Sequence, residues 1–331
     1  MKSARFLGED RITIEEVAPP KPGPGEVRLQ VSYCGLCGSD KRLFHKGATV
    51  TPGHELTGVV VEAGAGVEVP LGTRAAVYIA RYCGQCKFCL AGETNRCLEM
   101  KGLVGWQTPG GYAQQLIVPA RNLIPLPEDI SDAEGVLLLD TIGTATYGVE
   151  ICSQRALSAA RSDRAAVVGC GPIGLGSLLS LQAAGWSRVF AHDPAESRLQ
   201  TALSFGAEAL SEDASANEGK FALVIEAVGQ PKARDLALEL VEPGGAVLLL
   251  GESDLPWTLP ESPKWRRKDC YYVRSFYFPI GAAEKNMNVL RARREQFQEM
   301  IQDVVPLEGL QQAFADFCAG KGLKPLVRPN A

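Results

Sequence analysis

The stretch AAVVGCGPIGLGSLLSLQAAG, residues 165–185, decides the fold. A run of small and β-branched apolar residues meets Gly169, Gly171 and Gly174, and the chain then continues apolar for the length of a helix. A strand that turns at once into a helix uses these glycines for separate reasons. The first makes the tight turn, the second lets the backbone approach a pyrophosphate, and the third lets helix and strand pack closely. Pro172 and Ile173 complete the candidate cradle, and the helix N-terminus behind it meets negative charge. Asp193 stands nineteen residues after Gly174, at the end of a second strand, RVFAHD. A carboxylate there accepts hydrogen bonds from ribose hydroxyls and repels a 2′-phosphate, so NAD(H) is expected over NADP(H). Arg198 is the opposing signal, because a mobile arginine can hold that phosphate. The plain reading of the glycines is a tight turn without a ligand. The uncharged run 165–187 also has the length of a membrane span, but its five glycines and one proline fit strand–turn–helix better.

On both sides of this stretch the texture changes. FALVIEAVG (221–229) and AVLLLGES (246–253) read as further buried strands, separated by the helical ARDLALELV. Strands alternating with helices of this length mean a parallel sheet built from crossover units. Residues 1–125 instead read as short strands broken by Gly and Pro, among them VRLQV (27–31), TGVVVEAG (57–64) and YAQQLIVP (112–119). That is the pattern of a β-rich region. Residues 133–151 place apolar side chains at helical spacing, and helices are expected again over 282–300 and 307–319.

A chain of 331 residues is long enough for two domains. It is 46% hydrophobic and 22% charged with a net charge of −4, which gives no reason to expect nucleic acid or an anionic membrane. The densest basic run, KWRRK (264–268), reads as a solvated face. MKSARFLGED at the N-terminus has no apolar h-region, so no secretory signal is expected.

Of ten cysteines, four crowd into Cys83-x2-Cys86-x2-Cys89-x7-Cys97. Four thiolates on one short lobe make a closed tetrahedral shell for structural Zn²⁺, whose binding energy is folding energy for a lobe with little core. An iron–sulfur run would have a three-residue last gap followed by proline, and this one has seven and leucine. Four unrelated cysteines is the plain alternative. Cys37 and His54 form a second pair, His54 being one of only three histidines. Taken alone, the pair is as compatible with a core histidine as with a zinc ligand.

GLCGSD (35–40), PGHELTG (52–58), the cysteine lobe (83–97), GGYAQQLIVPARNLIPLP (110–127), GCGPIG (169–174) and EAVG (226–229) follow one another along the whole chain. In this order they resemble the zinc-dependent medium-chain alcohol dehydrogenase family. The CGSD and GHE wording looks more like its sorbitol, threonine and secondary-alcohol branches than its liver-type enzymes. The resemblance implies an α/β fold: a GroES-like β-rich catalytic domain (1–142 and 276–331) and a Rossmann doubly wound parallel-sheet domain (143–275), with zinc, nicotinamide and substrate in the cleft between them. It implies Cys37 and His54 as catalytic zinc ligands and Glu55 as a neighbouring, exchangeable acid. Asp140, in LLLDTIGTATYGVE, is the third ligand by the same resemblance; a helix-face aspartate paired with a cation is its plain reading. Ser39 matches the hydroxyl that takes the substrate proton. Val228 and Gly251 join the dinucleotide cradle. Cys34 is then a buried thiol, since a redox C-x-x-C belongs beside a βαβ unit.

One position departs from the pattern. Many members carry a histidine five residues after the zinc cysteine as a proton relay, and here that residue is Arg42, with His45 the nearest histidine. Arginine cannot relay a proton. Either His45 or water substitutes, or Arg42 binds an anionic or polyhydroxy substrate. The implied reaction is reversible oxidation of a secondary alcohol (polyol, sugar, cyclitol or amino alcohol) to a ketone, through a zinc alkoxide and hydride transfer to NAD⁺. Trp106, Tyr277 and Phe278 instead offer walls for an apolar pocket. The competing readings are a primary-alcohol or aldehyde dehydrogenase of the same family, and a non-catalytic NAD-binding scaffold that keeps its structural zinc. A cytoplasmic homodimer or homotetramer is expected, with a pairing edge at 247–250.

Overall fold

The computed structural model describes residues 1–154, 162–211, 213–259 and 261–331. They group into two units. One comprises Met1–Leu139, Pro279–Ala283 and Phe297–Ala331; the other comprises Asp140–Phe278 and Glu284–Gln296.

The first unit is built around a long central strand. β1 (Lys2–Gly8) and β2 (Arg11–Glu16) form an antiparallel hairpin. Its turn places Glu9 and Asp10 at positive φ, which suits the right-handed twist of the two strands. β3 (Glu26–Gly35) then pairs antiparallel with β4 (Glu55–Ala63). β5 (Arg74–Val77) adds to β4, β6 (Gln115–Pro119) to β3, and β7 (Leu123–Pro125) to β5. The C-terminal strand Leu326–Arg328 lies antiparallel to the end of β3. Val27, Leu29 and Val31 alternate into the core with at most 1% exposure, the period of two that a half-buried sheet requires. Register matters for the site. Gly35 sits opposite both Glu55 and Leu326, so three distant segments meet just before Cys37.

The expected helix over 133–151 is interrupted. A capping box between Ser131 and Glu134 starts a helix at Asp132–Leu137, a π-helical turn follows at Asp140–Thr144, and an α-helix resumes at Ala145–Ser153. Gly143 lies in that turn against the Phe278 ring, where a Cβ would come within 2.2 Å. Apolar periodicity does not register one extra residue in a turn, and such bulges concentrate at functional sites.

In the second unit, β8 (Arg164–Val168), β9 (Arg188–His192), β10 (Glu208–Ala209), β11 (Phe221–Glu226), β12 (Val241–Leu249) and β13 (Tyr271–Arg274) form, among the described residues, a six-stranded parallel sheet. The order is β10-β9-β8-β11-β12-β13, every neighbouring pair parallel. That is the doubly wound 3-2-1-4-5-6 order of a dinucleotide-binding sheet.

Two expectations are corrected here. Residues 247–250 are not an edge: β12 runs between β11 and β13, with Val247 and Leu248 fully buried. A continuous apolar run marks an interior parallel strand, and the exposed edge belongs to β13 with Tyr271 and Tyr272. The KWRRK run is not wholly solvated either. Lys264 pairs with Glu218 at the surface, but Lys268 is buried, and its ammonium donates to the carbonyls of Leu238, Glu239 and Val241 at 2.6–2.8 Å. It caps the C-terminus of helix Pro231–Leu240, where a cation meets unsatisfied carbonyls. Among the described residues, no helix is long and apolar enough to cross a membrane.

Candidate metal centres and dinucleotide cradle

The cysteine lobe brings its four thiols together. The sulfurs of Cys83, Cys86, Cys89 and Cys97 all lie within 4.8 Å of one another. Gly84 and Gly92 supply the left-handed turns that fold the short loop. Backbone amides point at the sulfurs: Gln85 and Cys86 donate to Cys83 Sγ at 3.4 and 3.2 Å, and Cys83 donates to Cys97 Sγ at 3.2 Å. Such donors favour thiolate. The Cys86 thiol is drawn down to about 6, chiefly by the Cys89 amide, whereas burial pushes Cys89 up to about 12. This all-sulfur set matches a structural zinc shell.

The second group joins Cys37, His54, Glu55 and Asp140, whose ligand atoms again lie within 4.8 Å. Cys37 precedes the 3₁₀ turn Gly38–Asp40, His54 directly precedes β4 and Glu55 opens it, and Asp140 begins the π-helical turn next to Leu139. His54 is aimed by the loop before it. Gly53 has φ +98°, and a Cβ there would meet Cys34 Sγ at 2.7 Å and Tyr112 N at 2.9 Å. The GGY run clamps that loop from the other side, Gly110 donating to Thr51 O and Gly111 to Gly53 O, both at 2.7 Å.

Asp40 is the residue the sequence reading passed over. Its carboxylate is fully buried, lies 3.1 Å from His54 Nδ1 and accepts from the Tyr112 hydroxyl at 3.1 Å. A carboxylate facing Nδ1 is the usual support of a ligand histidine, one that leaves Nε2 for a metal. The signal was present in GLCGSD, but nothing local distinguishes a supporting aspartate from a surface one. Lys324 was missed for the same reason: its ammonium meets Glu55 Oε1 at 2.5 Å and the Leu36 carbonyl at 3.2 Å, 269 residues away from Glu55 in sequence.

The other candidates fall at different distances from the group. Ser39 Oγ donates to Cys37 Sγ at 3.3 Å. Arg42 stacks its guanidinium 4.9 Å from the Trp106 ring, and that ring lies 5.9 Å from the His54 imidazole. His45 is exposed at the end of helix Lys41–Lys46 and pairs with Asp10. Thr144 Oγ1 donates to Asp140 Oδ1 at 3.3 Å. Cys34 is fully buried, and burial raises its thiol well above the ordinary range, as for an inert core cysteine.

A thiolate, an imidazole and carboxylates at this spacing fit Zn²⁺. The second unit fits a dinucleotide on similar grounds. Gly169 takes φ +95°, a Cβ on Gly174 would come within 1.8 Å of the Gly169 carbonyl, and a Cβ on Gly171 would meet nothing within 4 Å. Turn, close packing and open approach thus fall to the three glycines separately. Pro172 and Ile173 begin helix Pro172–Ala183 directly behind. Asp193 braces the loop with its carboxylate, each oxygen accepting one bond and keeping a further lone pair: Oδ2 accepts from Cys170 N and Oδ1 from Ala195 N, both at 2.8 Å. Arg198 lies in the first turn of helix Glu196–Ser204. Val228 is 41% exposed at the carboxyl end of β11, and both Gly169 and Gly251 pack against it so closely that an added Cβ would reach it within 2.6 Å. Glu226 beneath accepts from Val228 N and Gly229 N at 2.7 and 2.6 Å, and burial raises its carboxyl.

Comparison with known proteins agrees with this layout. Residues 23–128 match the alcohol dehydrogenase GroES-like domain, and residues 172–303 the zinc-binding dehydrogenase domain. (R,R)-butanediol dehydrogenase of Bacillus subtilis is 31% identical over 278 residues, 76% of this chain and 77% of that protein. L-threonine 3-dehydrogenase of Pyrococcus abyssi is 32% identical over 271 residues, 76% and 74%. The solved alcohol dehydrogenase TADH of Thermus sp. ATN1 superposes with a TM-score of 0.89 at 27% identity, covering 99% of each chain. The chain therefore belongs to the zinc-type medium-chain alcohol dehydrogenase family, whose members are oxidoreductases acting on CH–OH groups.

Proposed function

We propose that this chain oxidises a secondary alcohol to a ketone, reversibly, with NAD⁺ as hydride acceptor. The observation that carries the reading is the meeting of Cys37, His54 and Asp140 from three distant segments. A zinc ion held by these three would act as a Lewis acid on a hydroxyl and lower its pKa towards neutrality. Asp40 keeps His54 in the tautomer that presents Nε2. Ser39 relays the substrate proton, accepting it as its own hydroxyl proton passes to solvent water, and Cys37 Sγ is the acceptor that orients its hydroxyl beforehand. The glycine cradle positions the pyrophosphate, and Asp193 selects NAD(H) over NADP(H). Residues 1–142 and 276–331 carry the metal chemistry in this scheme, and 143–275 carry the cofactor. Four thiols grouped for a metal need a reducing compartment, which favours a cytoplasmic enzyme. A homodimer or homotetramer is the expected assembly, as in the family the motifs resemble.

The names of the two curated relatives, a butanediol with two stereocentres and threonine at its carbon 3, support a secondary hydroxyl. Arg42 narrows the class further. Stacked on Trp106 near His54, its guanidinium is suited to a substrate carrying several hydroxyls or an anionic group. The test is a panel of polyols, sugar acids, sugar phosphates and simple secondary and primary alcohols with NAD⁺, followed at the NADH absorbance band, alongside metal content per chain. Two zincs and turnover of a polyhydroxy or anionic secondary alcohol are expected. Cys37→Ala should abolish turnover, remove one zinc and leave NAD(H) binding in place. A single zinc in the wild type, or full activity in Cys37→Ala, refutes the reading.

A further inference from the structure

Beside the cysteine lobe, the first unit holds an open cleft of about 360 Å³. Glu26, Arg81, Tyr82, Lys101 and Arg121 supply its polar walls, and none of them belongs to the Cys37–His54 group or to the glycine cradle. A volume of this order suits a small ligand held by a few convergent polar groups.

Three cations from separate segments meet in this cleft. Arg81 follows β5, Lys101 follows the lobe, and Arg121 sits in the 3₁₀ turn Ala120–Asn122 between β6 and β7. Their backbones are knitted together. Lys101 N donates to Arg81 O at 2.9 Å, and Arg81 N donates to Gly102 O at 3.0 Å. The Tyr82 hydroxyl donates to Arg121 O at 3.0 Å, and Arg121 Nη1 donates to Cys83 O at 2.8 Å. Glu26 is the one acid in the lining. Its Oε1 accepts from Arg81 Nη2 at 3.2 Å and its Oε2 from Gly23 N at 3.1 Å. One carboxylate against three cations leaves a surplus of two positive charges. Arg81 Nε is buried and meets no acceptor among the described residues, and a buried donor of this kind calls for a bound ion or water. The rival use of the cations is to balance the four thiolates next door. Backbone amides of Cys83, Gln85 and Cys86 serve those sulfurs, and among the described residues no hydrogen bond joins a sulfur to the three cations.

We infer that this cleft binds a phosphate dianion, free or borne by a small molecule, through Arg81, Lys101 and Arg121. A phosphate group carries about −1.5 to −2 charges at neutral pH, which matches the surplus. Two guanidinium forks suit pairs of its oxygens, and the ammonium adds a point charge. The test is isothermal titration of the zinc-loaded full chain with inorganic phosphate at constant ionic strength, with NADH in excess to keep the glycine cradle filled. One phosphate per chain should bind, with Kd below about 1 mM. Lys101 is exposed, so its replacement spares the fold. Lys101→Gln should weaken phosphate at least fivefold, Lys101→Arg should retain it, and Arg42→Met should leave it unchanged. Glucose 6-phosphate, titrated against Lys101→Gln as the blank, separates the two sources. Tighter binding than phosphate marks an organic phosphate as the occupant, weaker binding marks free phosphate, and glucose itself should not bind. No saturable binding below about 10 mM overturns the inference, as does a loss under fivefold in Lys101→Gln. Phosphate binding lost in Arg42→Met would place the anion at the Cys37–His54 group and overturn it too. Zinc leaving Lys101→Gln with phosphate affinity intact would assign the cations to the thiolates, with the same result.

Discussion

Removing the Asp40 carboxylate should loosen the second zinc and leave the cysteine-lobe zinc untouched. Asp40 has two partners, and they differ in how well they survive its loss. The Tyr112 hydroxyl lies 3.1 Å from Asp40 Oδ2 but also 3.0 Å from the Gly35 carbonyl, so it has an alternative acceptor. His54 Nδ1 faces Asp40 Oδ1 at 3.1 Å with both side chains wholly buried. In Asp40→Ala that N–H loses its carboxylate, a desolvation cost of about 1–3 kcal/mol. The ring is then also free to change tautomer. Losing such a support typically weakens metal binding about 10- to 100-fold, or about 1.4–2.8 kcal/mol. Asp40→Asn separates geometry from charge: it keeps a polar group of the same size beside Nδ1, so the loss should stay near tenfold, with Asp40→Ala near a hundredfold. The assay is chelator competition for the zinc equivalent that Cys37→Ala removes, with urea unfolding of each variant as the control for folding. An Asp40→Ala protein that folds and holds this zinc within threefold of the wild type would refute the role given to Asp40.

Further expectations test the cradle and the lobe. Asp193→Ala should weaken NAD(H) more than NADP(H) by isothermal titration, and should also destabilise the fold by roughly 1–3 kcal/mol, because two accepted backbone hydrogen bonds go with it. Gly174→Val sets a side chain where even a Cβ would be 1.8 Å from the Gly169 carbonyl. NAD(H) affinity should fall at least tenfold and stability by about 1–3 kcal/mol in chemical unfolding, and wild-type binding would remove Gly174 from the cradle. In metal-free protein, Cys86 titrates near 6 and should be alkylated rapidly at pH 7, while Cys89, held up near 12, should resist. Zinc binding at pH 7 must therefore displace the proton of Cys89, so lobe affinity rises with pH; equal alkylation rates for the two thiols would contradict this.

The parallel-sheet unit was legible because its signals are local. Strand, GCGPIG turn and helix sit in one short window, and the turn's glycines answer to backbone sterics that sequence spacing reports directly. The cysteine lobe was legible for the same reason. The edge expected at 247–250 failed because an apolar run says that a strand is buried, not which strand covers it. Lys268 read as solvated because a helix C-terminus in need of a cation lies 27 to 30 residues away, beyond any local pattern. Asp40 and Lys324 escaped on similar grounds. Their roles depend on the registers of β3 against β4 and of the last strand against β3, which are tertiary facts.

The Tyr112 ring that steadies Asp40 is also part of an aromatic knot. It stacks on Phe6 at 5.8 Å and meets Phe314 edge-on at 5.7 Å, while Phe44, four residues after Asp40, closes on Phe314 at 5.3 Å. Holding the ion and packing this knot are therefore linked equilibria. A ligand that binds only the native state raises the free energy of unfolding of everything its site depends on. Truncating Phe314, in a helix far along the chain from any ligand, would register first as zinc leakage and only later as loss of fold.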